Sequence, residues 1–253
     1  MLLELDLACA RAWPTLEEER VGSWRLRFAR GVTKRANSVL PLAPSDGDLD
    51  GDGVAAWIER VELAYGARGL PPRFQVSDTC WPRGLPEALL ERGYVEHDPT
   101  LMLTAPLAPA LVEPAWEIEL APAPSEQWFE AWWAIDGRGG ADEAHVAREI
   151  LGRIEPPSAF ASCLDRDGVA GIGLGVADGE WLGVYCMGTY ARARRRGCAR
   201  AVLARLGAWA LEQGARGAFL LVAEANEPAL ALYRSVGFEQ RGRYAYFTRL
   251  PSR

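Results

Sequence analysis

Arg192, Arg194, Arg195, Arg196 and Arg200 crowd around Gly197 in one short stretch of this 253-residue chain. A strand-like run ends near Met187 just before them, and a helical pattern starts near Cys198. A helix N-terminus leaves amide groups without intrahelical partners and carries partial positive charge from the helix dipole. Phosphate oxygens bind readily at such a point. Gly197 lets the backbone approach a ligand closely, and the small residues Cys198 and Ala199 leave the first helical turn unobstructed. The stretch Arg194, Arg195, Arg196, Gly197, Cys198 and Ala199 is therefore expected to hold a pyrophosphate. On a chain of formal net charge -6, so local a cationic cluster is hard to read as a merely solvated face.

The elements that must position this turn are legible on both sides of it. In the second half the pattern predicts a strand over Trp116 to Leu120, a helix from Ser125 to Ile135 with Ser125 as N-cap, and a helix from Asp142 to Ile154. Strands follow at Ala159 to Leu164, Val169 to Val176 and Leu182 to Met187, separated by Asp and Gly turn signals. The helix Cys198 to Gln213 places Val202, Leu203, Leu206, Trp209 and Ala210 on one stripe. Strand Ala218 to Val222, helix Pro228 to Ser235 and strand Tyr244 to Arg249 complete this half. In the first half, strands are expected at Trp24 to Phe28, Ser38 to Leu42, Arg73 to Val76 and Pro99 to Thr104, with helices at Val54 to Tyr65 and Pro86 to Arg92.

The two halves echo each other. Gly66-Ala67-Arg68-Gly69 is matched by Gly214-Ala215-Arg216-Gly217, an offset of 216 − 68 = 148. Arg92-Gly93-Tyr94 matches Val236-Gly237-Phe238, and Leu101 to Thr104 matches Ala245 to Thr248, at an offset of 237 − 93 = 144. An alanine and proline stretch around Leu107 to Pro114 separates them, so two domains are expected, residues 1–112 and 113–253.

Composition narrows the functions. A net charge of -6 disfavours a nucleic-acid binder, which needs a broad basic face. Five widely spaced cysteines without CxxC pairs suggest neither a disulfide framework nor a zinc site, and fit a reducing compartment. No positive n-region precedes the short apolar start, and no apolar run reaches the ~18 residues of a membrane span. A soluble, cytoplasmic protein without membrane partners is the expectation; its oligomeric state is left open.

Arg194-x-x-Gly197-x-Ala199 resembles the Gln/Arg-x-x-Gly-x-Gly/Ala signature of the GNAT acetyltransferases, where it wraps the pyrophosphate of coenzyme A. Asn226, Ala229, Leu232, Tyr233, Gly237 and Phe238 resemble a second pattern of that superfamily, Asn-x-x-Ala-x-x-Leu-Tyr-x-x-x-Gly-Phe, at every specified position. The likeness covers the last 140 or so residues. With a degenerate first copy, the whole chain resembles a tandem GNAT protein of α+β class, each domain a mixed, mainly antiparallel sheet flanked by helices. Arg35-Ala36-Asn37-Ser38-Val39 is also similar to bacterial acetyltransferases of this two-part layout.

The resemblance implies acetyl-CoA as cosubstrate, lying where the strand ending at Met187 parts from strand Ala218 to Val222. Main-chain groups of Met187 and Thr189 would pair with its pantetheine arm, an amide near Gly188 would meet the oxyanion, and Asn226 and Tyr233 would complete the site. Tyr233 is implied as the acid for the departing thiolate. The Glu that many family members carry eleven positions ahead of Arg194 is absent, since that position is Gly183; Glu180 and Glu224 are the candidate bases. The implied activity is direct acetyl transfer to a primary amine, small-molecule or protein, in a ternary complex, with no metal. The alternative is a non-catalytic acyl-CoA-binding or sensing module. The first half, with Asp46, Asp48, Asp50 and Asp52 where the second has arginines and Leu89 where it has Tyr233, is expected to be structural or substrate-shaping.

Other signals point elsewhere and are weaker. Asp48 to Gly53 with Glu59 has the spacing of a calcium loop, but prolines replace the entering helix. Gly171-Ile172-Gly173-Leu174-Gly175 lacks the third glycine of a dinucleotide fingerprint and reads as a glycine-rich strand. His97 and His145 read as surface residues. Trp128, Trp132 and Trp133 read as core residues that could also shape an acceptor pocket, with Asp136, Asp142 and Glu143 nearby.

Overall fold

The computed structural model describes residues 1–44, 53–107 and 116–249. The acidic loop with Asp46, Asp48, Asp50 and Asp52, and the expected boundary near Pro114, lie outside the described residues. The first half runs α1 (Leu2–Ala12), β1 (Glu17–Val21), β2 (Trp24–Phe28), β3 (Val39–Leu40), α2 (Val54–Gly66), β4 (Arg73–Ser77), α3 (Leu85–Glu91) and β5 (Val95–Pro106). The second runs β6 (Glu117–Ala121), α4 (Glu126–Asp136), α5 (Ala141–Leu151), β7 (Ser158–Asp165), β8 (Gly168–Asp178), β9 (Trp181–Thr189), a short 3-10 turn (Ala191–Ala193), α6 (Cys198–Glu212), β10 (Gly217–Ala223), α7 (Glu227–Ser235) and β11 (Glu239–Thr248).

One shift relates four pairs of elements across the halves. β2 and β8 start at 24 and 168, α2 and α6 at 54 and 198, β4 and β10 at 73 and 217, β5 and β11 at 95 and 239, each 144 apart. The apparent 148-residue match of Gly66–Gly69 with Gly214–Gly217 is therefore not a structural equivalence. Gly217 opens β10, whereas Gly69 lies in the loop ahead of β4. Glycine-rich turns before strands look alike whatever their register.

All eleven strands form one sheet, in the order β1-β2-β3-β4-β11-β5-β10-β9-β8-β7-β6. The last strand of each half is thus built into the other: β11 pairs β4, and β5 pairs β10. β5 and β11 are antiparallel neighbours at the centre, and Thr100 sits opposite Tyr244, its own counterpart 144 residues on. A pseudo-twofold axis runs through that pair.

Two layers of helix cover the sheet. On one face, α6 and α7 pack on Leu103, Leu182, Val184 and Leu220, and α2 and α3 pack on Trp24, Phe74 and Phe247. On the other, α1, α4 and α5 bury Leu5, Trp13, Trp128, Trp132 and Ile150 against Met102, Ile172, Tyr185 and Phe219. Ser125 caps α4, accepting from the Trp128 amide at 3.1 Å, and the Trp128 indole donates to the carbonyl of Ala161 at 3.0 Å. The glycines of β8 explain their own presence. A Cβ at Gly171 would lie 2.5 Å from Cys198 Sγ, and one at Gly173 would lie 2.7 Å from Val202, so the bare strand lets α6 lie close.

Candidate active site

β9 and β10 run parallel, but they pair only from Trp181 with Gly217 to Val184 with Leu220. β10 then follows β5 as far as Ala223 opposite Thr100. β9 turns away: Cys186 adopts φ 51°, and the register with β8 slips between Tyr185 and Gly188. A bulge bends a strand and increases its local twist, so a gap opens between Cys186–Thr189 and Leu221–Ala223. From Cys186 to Tyr190 the chain is half-buried, whereas Leu182 to Tyr185 are buried.

The edge of that gap is polar. Tyr190 N–H donates to Ala170 O at 3.0 Å, and alternation along an antiparallel ladder then directs the amide groups of Gly188 towards Ile172 and those of Thr189 out of the ladder. Met187, two residues away, shares that outward edge. Gly188 contributes space instead of an amide: a Cβ there would lie 3.0 Å from Ile135.

The arginine turn follows directly. Arg194 is extended, Arg195 has φ 59°, and Gly197 is left-handed at φ 87° as the N-cap of α6. The first backbone bond at this helix end is from Ala201 N–H to Gly197 O at 2.9 Å, so the amides of Cys198, Ala199 and Arg200 stay open to a ligand. Arg194 donates to the Thr189 carbonyl at 3.2 Å, tying the turn to the end of β9. Arg192 binds Val169 O and Asp165, Arg196 lies over Trp116, and Arg200 reaches Ser235. Arg195 is exposed and has no side-chain partner among the described residues. The Cys198 side chain points inward and is buried, so this residue offers its amide only.

Across the gap, Asn226 caps α7, accepting from the Ala229 amide at 3.2 Å. Tyr233 on α7 is 7% exposed and packs on Phe238, and burial pushes its phenol up to about 12. Glu224, just past β10, is half-exposed and lies 3.7 Å from Arg243 of β11, on the side of β10 away from the gap. Glu180 is not brought there. It lies at the opposite end of β9, ~30 Å of strand from Thr189, where it is exposed and 3.5 Å from Arg216. The place of the missing acid is filled: a Cβ at Gly183 would lie 2.6 Å from the Tyr185 ring and 2.9 Å from Phe219.

Burial pushes all five thiols above their ordinary value, Cys9 to about 12. None is a poised nucleophile. Glu59, from the calcium-like spacing, pairs with Arg92 at 3.0 Å. His97 is not a simple surface residue, since its ring bridges Asp98 and Thr248 at 2.8 Å each and stacks on Tyr246. His145 is exposed. Among the described residues no helix is long and apolar enough to cross a membrane, and no group of three or more His, Cys, Asp or Glu could hold a metal ion. Sequence reasoning missed Tyr185 and the bulge at Cys186, because no residue type announces a left-handed cysteine.

Parallel strands that part before a helix N-terminus define the GNAT fold. The chain is similar in structure to a GCN5-related N-acetyltransferase from Kribbella flavida, with a TM-score of 0.69 and 17% identity over 99% of this chain and 95% of that one. A tandem GNAT protein from the clavulanic acid biosynthesis pathway gives 0.67 and 15% over 98% and 89%. In sequence it is 29% identical to the "Uncharacterized N-acetyltransferase YobR" of Bacillus subtilis (strain 168), covering 96% of both chains. The chain belongs to the family described as "Probable histone acetyltransferase Rv0428c C-terminal", whose model matches residues 2–247. It is an acetyltransferase with the fold of a tandem GNAT protein.

Proposed function

We propose that the protein moves an acetyl group from acetyl-CoA to a primary amine by direct attack within a ternary complex. The observation that carries this reading is the parting of β9 from β10 immediately ahead of the arginine turn and the open amides of α6. Pyrophosphate would lie on the amides of Gly197, Cys198 and Ala199 with Arg194, Arg195 and Arg196 around it. The pantetheine arm would pair with Met187 and Thr189, and an amide of this outward edge, not that of Gly188, would face the charge that develops on the thioester carbonyl.

Tyr233 would give its proton to the leaving thiolate; a phenol held neutral by burial is in the right state to do so. Asn226 would support it by fixing the start of α7. With Gly183 lacking a carboxylate and Glu180 remote, Glu224 would be the acid that accepts the amine's proton, most simply through water. Covalent relay through a cysteine is disfavoured by the raised thiols. The first half, with buried Leu89 in the place of Tyr233, would shape the acceptor side without binding a second donor, and the unbridged cysteines suit a reducing cytoplasm.

Calorimetry tests the donor site. Acetyl-CoA should bind the wild type and bind Arg194→Glu with Gly197→Asp at least ~100-fold more weakly, through lost charge and a blocked turn. Equal affinity for both proteins rejects the site. An amine panel followed by thiol release then separates catalysis from the non-catalytic reading that the filled Gly183 position would favour.

A further inference from the structure

On the face covered by α1, α4 and α5, side chains from both halves meet around Arg35. Asn37 fixes the loop that carries it: its Oδ1 accepts from the amides of Ala29 and Gly31 at 2.8 and 2.9 Å, and its Nδ2 donates to the Thr33 carbonyl at 2.8 Å. The Thr33 hydroxyl accepts from the Trp13 indole at 3.1 Å. The Arg35 guanidinium lies 5.8 Å from the Trp13 ring centre and 5.7 Å from that of Tyr185.

The cation meets ring faces but no anion. The groups facing it are Cys9, Tyr185, Tyr244 and Tyr246, a thiol and phenols, which are uncharged at neutral pH. Its Nε is sealed from solvent with no hydrogen-bond partner, and the Tyr185 hydroxyl, sealed beside it, has only the Cys9 thiol within reach. Among the described residues the guanidinium makes no ion pair. The buried Asp6 is engaged by Ser77 and Thr79 at 2.8 and 2.5 Å. Arg27, also buried, shows the contrast, since Ser38 and Gln75 satisfy it through three bonds of 2.8 to 2.9 Å. A guanidinium cannot shed its charge, and buried charges are ordinarily paired.

Resting on the acetyl-transfer reading, we propose that Arg35 and the Tyr185 hydroxyl form the acceptor's anion subsite, and that the acceptor is an amine bearing a carboxylate on an apolar body. Tyr185 is the first residue of β9 beyond its last pair with β10, so the subsite flanks the gap on the face opposite α6. The Tyr185 ring lies back over Gly183, so the apolar body would have to span from there to the gap to bring the amine to the donor. A single free guanidinium matches a monoanion, which its planar fork can bind through two parallel bonds. Trp13, Trp132, Trp133 and Phe219 supply the apolar wall.

The test sets amino acids (leucine, phenylalanine, tryptophan) against their amides and decarboxylated amines, with an aminoalkyl phosphate and a lysine-rich histone-tail peptide as further arms. Wild-type kcat/KM should favour the carboxylates by ~100-fold, because a site built to bond a group rejects analogues that lack it. Arg35→Gln should erase that preference while leaving the KM for acetyl-CoA and the slow rate on the plain amine in place, and Arg35→Lys should restore part of it. Should Arg35→Gln melt early, Tyr185→Phe serves instead and should raise the carboxylate's KM several-fold.

Quenching of tryptophan emission by the same amino acids reads the subsite without turnover. Preference for the plain amine, the peptide or the phosphate overturns the inference, as does the absence of any quenching. Acetyl transfer stands in those cases. Failure of acetyl-CoA to bind in calorimetry would instead remove the donor site and leave the quenching result to judge the subsite.

Discussion

Burial holds the Tyr233 phenol protonated far beyond neutral pH, up to about 12. If that proton reaches the thiolate, Tyr233→Phe should lower kcat by ~100-fold, the usual size of a lost general acid, with the Kd for acetyl-CoA unchanged. The sign with pH follows: the acid form is present below its raised value, so kcat should show no descending limb below about pH 10. Asp6 offers a different check. Burial, the largest influence, raises its carboxyl despite the Ser77 and Thr79 hydroxyls. A group raised in the folded state adds stability below its unfolded value and loses it as pH climbs through the folded one. Asp6→Asn, whose carbonyl can still accept from both hydroxyls, should therefore leave Tm at neutral pH unchanged or higher, and lower it only in acid.

At the scale of elements, the N-terminus of α6 depends on a left-handed residue. Gly197→Ala should cost about 1 kcal/mol in denaturant unfolding, the steric cost of a Cβ there, and weaken acetyl-CoA binding in the same titration. Gly183→Glu should not supply the missing base. It would push into Tyr185 and Phe219 and destabilise by roughly 1–3 kcal/mol, as overpacking does. Most of these elements were legible. Ser125 and Gly197 marked helix starts, and regular apolar spacing placed α2, α4 and α6 within a few residues. β1 was not legible, because Glu17 to Arg20 are exposed on a sheet edge, where charge guards against stray pairing instead of alternating with apolar residues. α1 begins at Leu2 with no side-chain cap, so its sequence shows only a short apolar start. The arginine turn could be read because its chemistry is local. The pairing of Arg35 with Tyr185 could not, because it depends on a contact across 150 residues of chain.

Because the halves exchange terminal strands, the whole molecule should unfold as one unit. Deleting β11 by stopping the chain after Phe238 would strip β4 and β5 of one of their two neighbours each. Such a truncation should lose cooperative unfolding in both halves by circular dichroism, not merely the last 15 residues' share. Two autonomous domains would instead leave the first half's transition intact. A duplicated sheet joined through Thr100 and Tyr244 also explains how the first copy could lose its donor turn: its strands still complete the second copy's core.

That interleaving sets an order on synthesis. A ribosome delivers the strands of the first half early, yet the partner for β4 is β11, made only after the other strands of the second half. Until then the nascent chain exposes two raw edges, among contacts whose long sequence separation slows folding. Maturation of the first half must therefore wait for translation of the last.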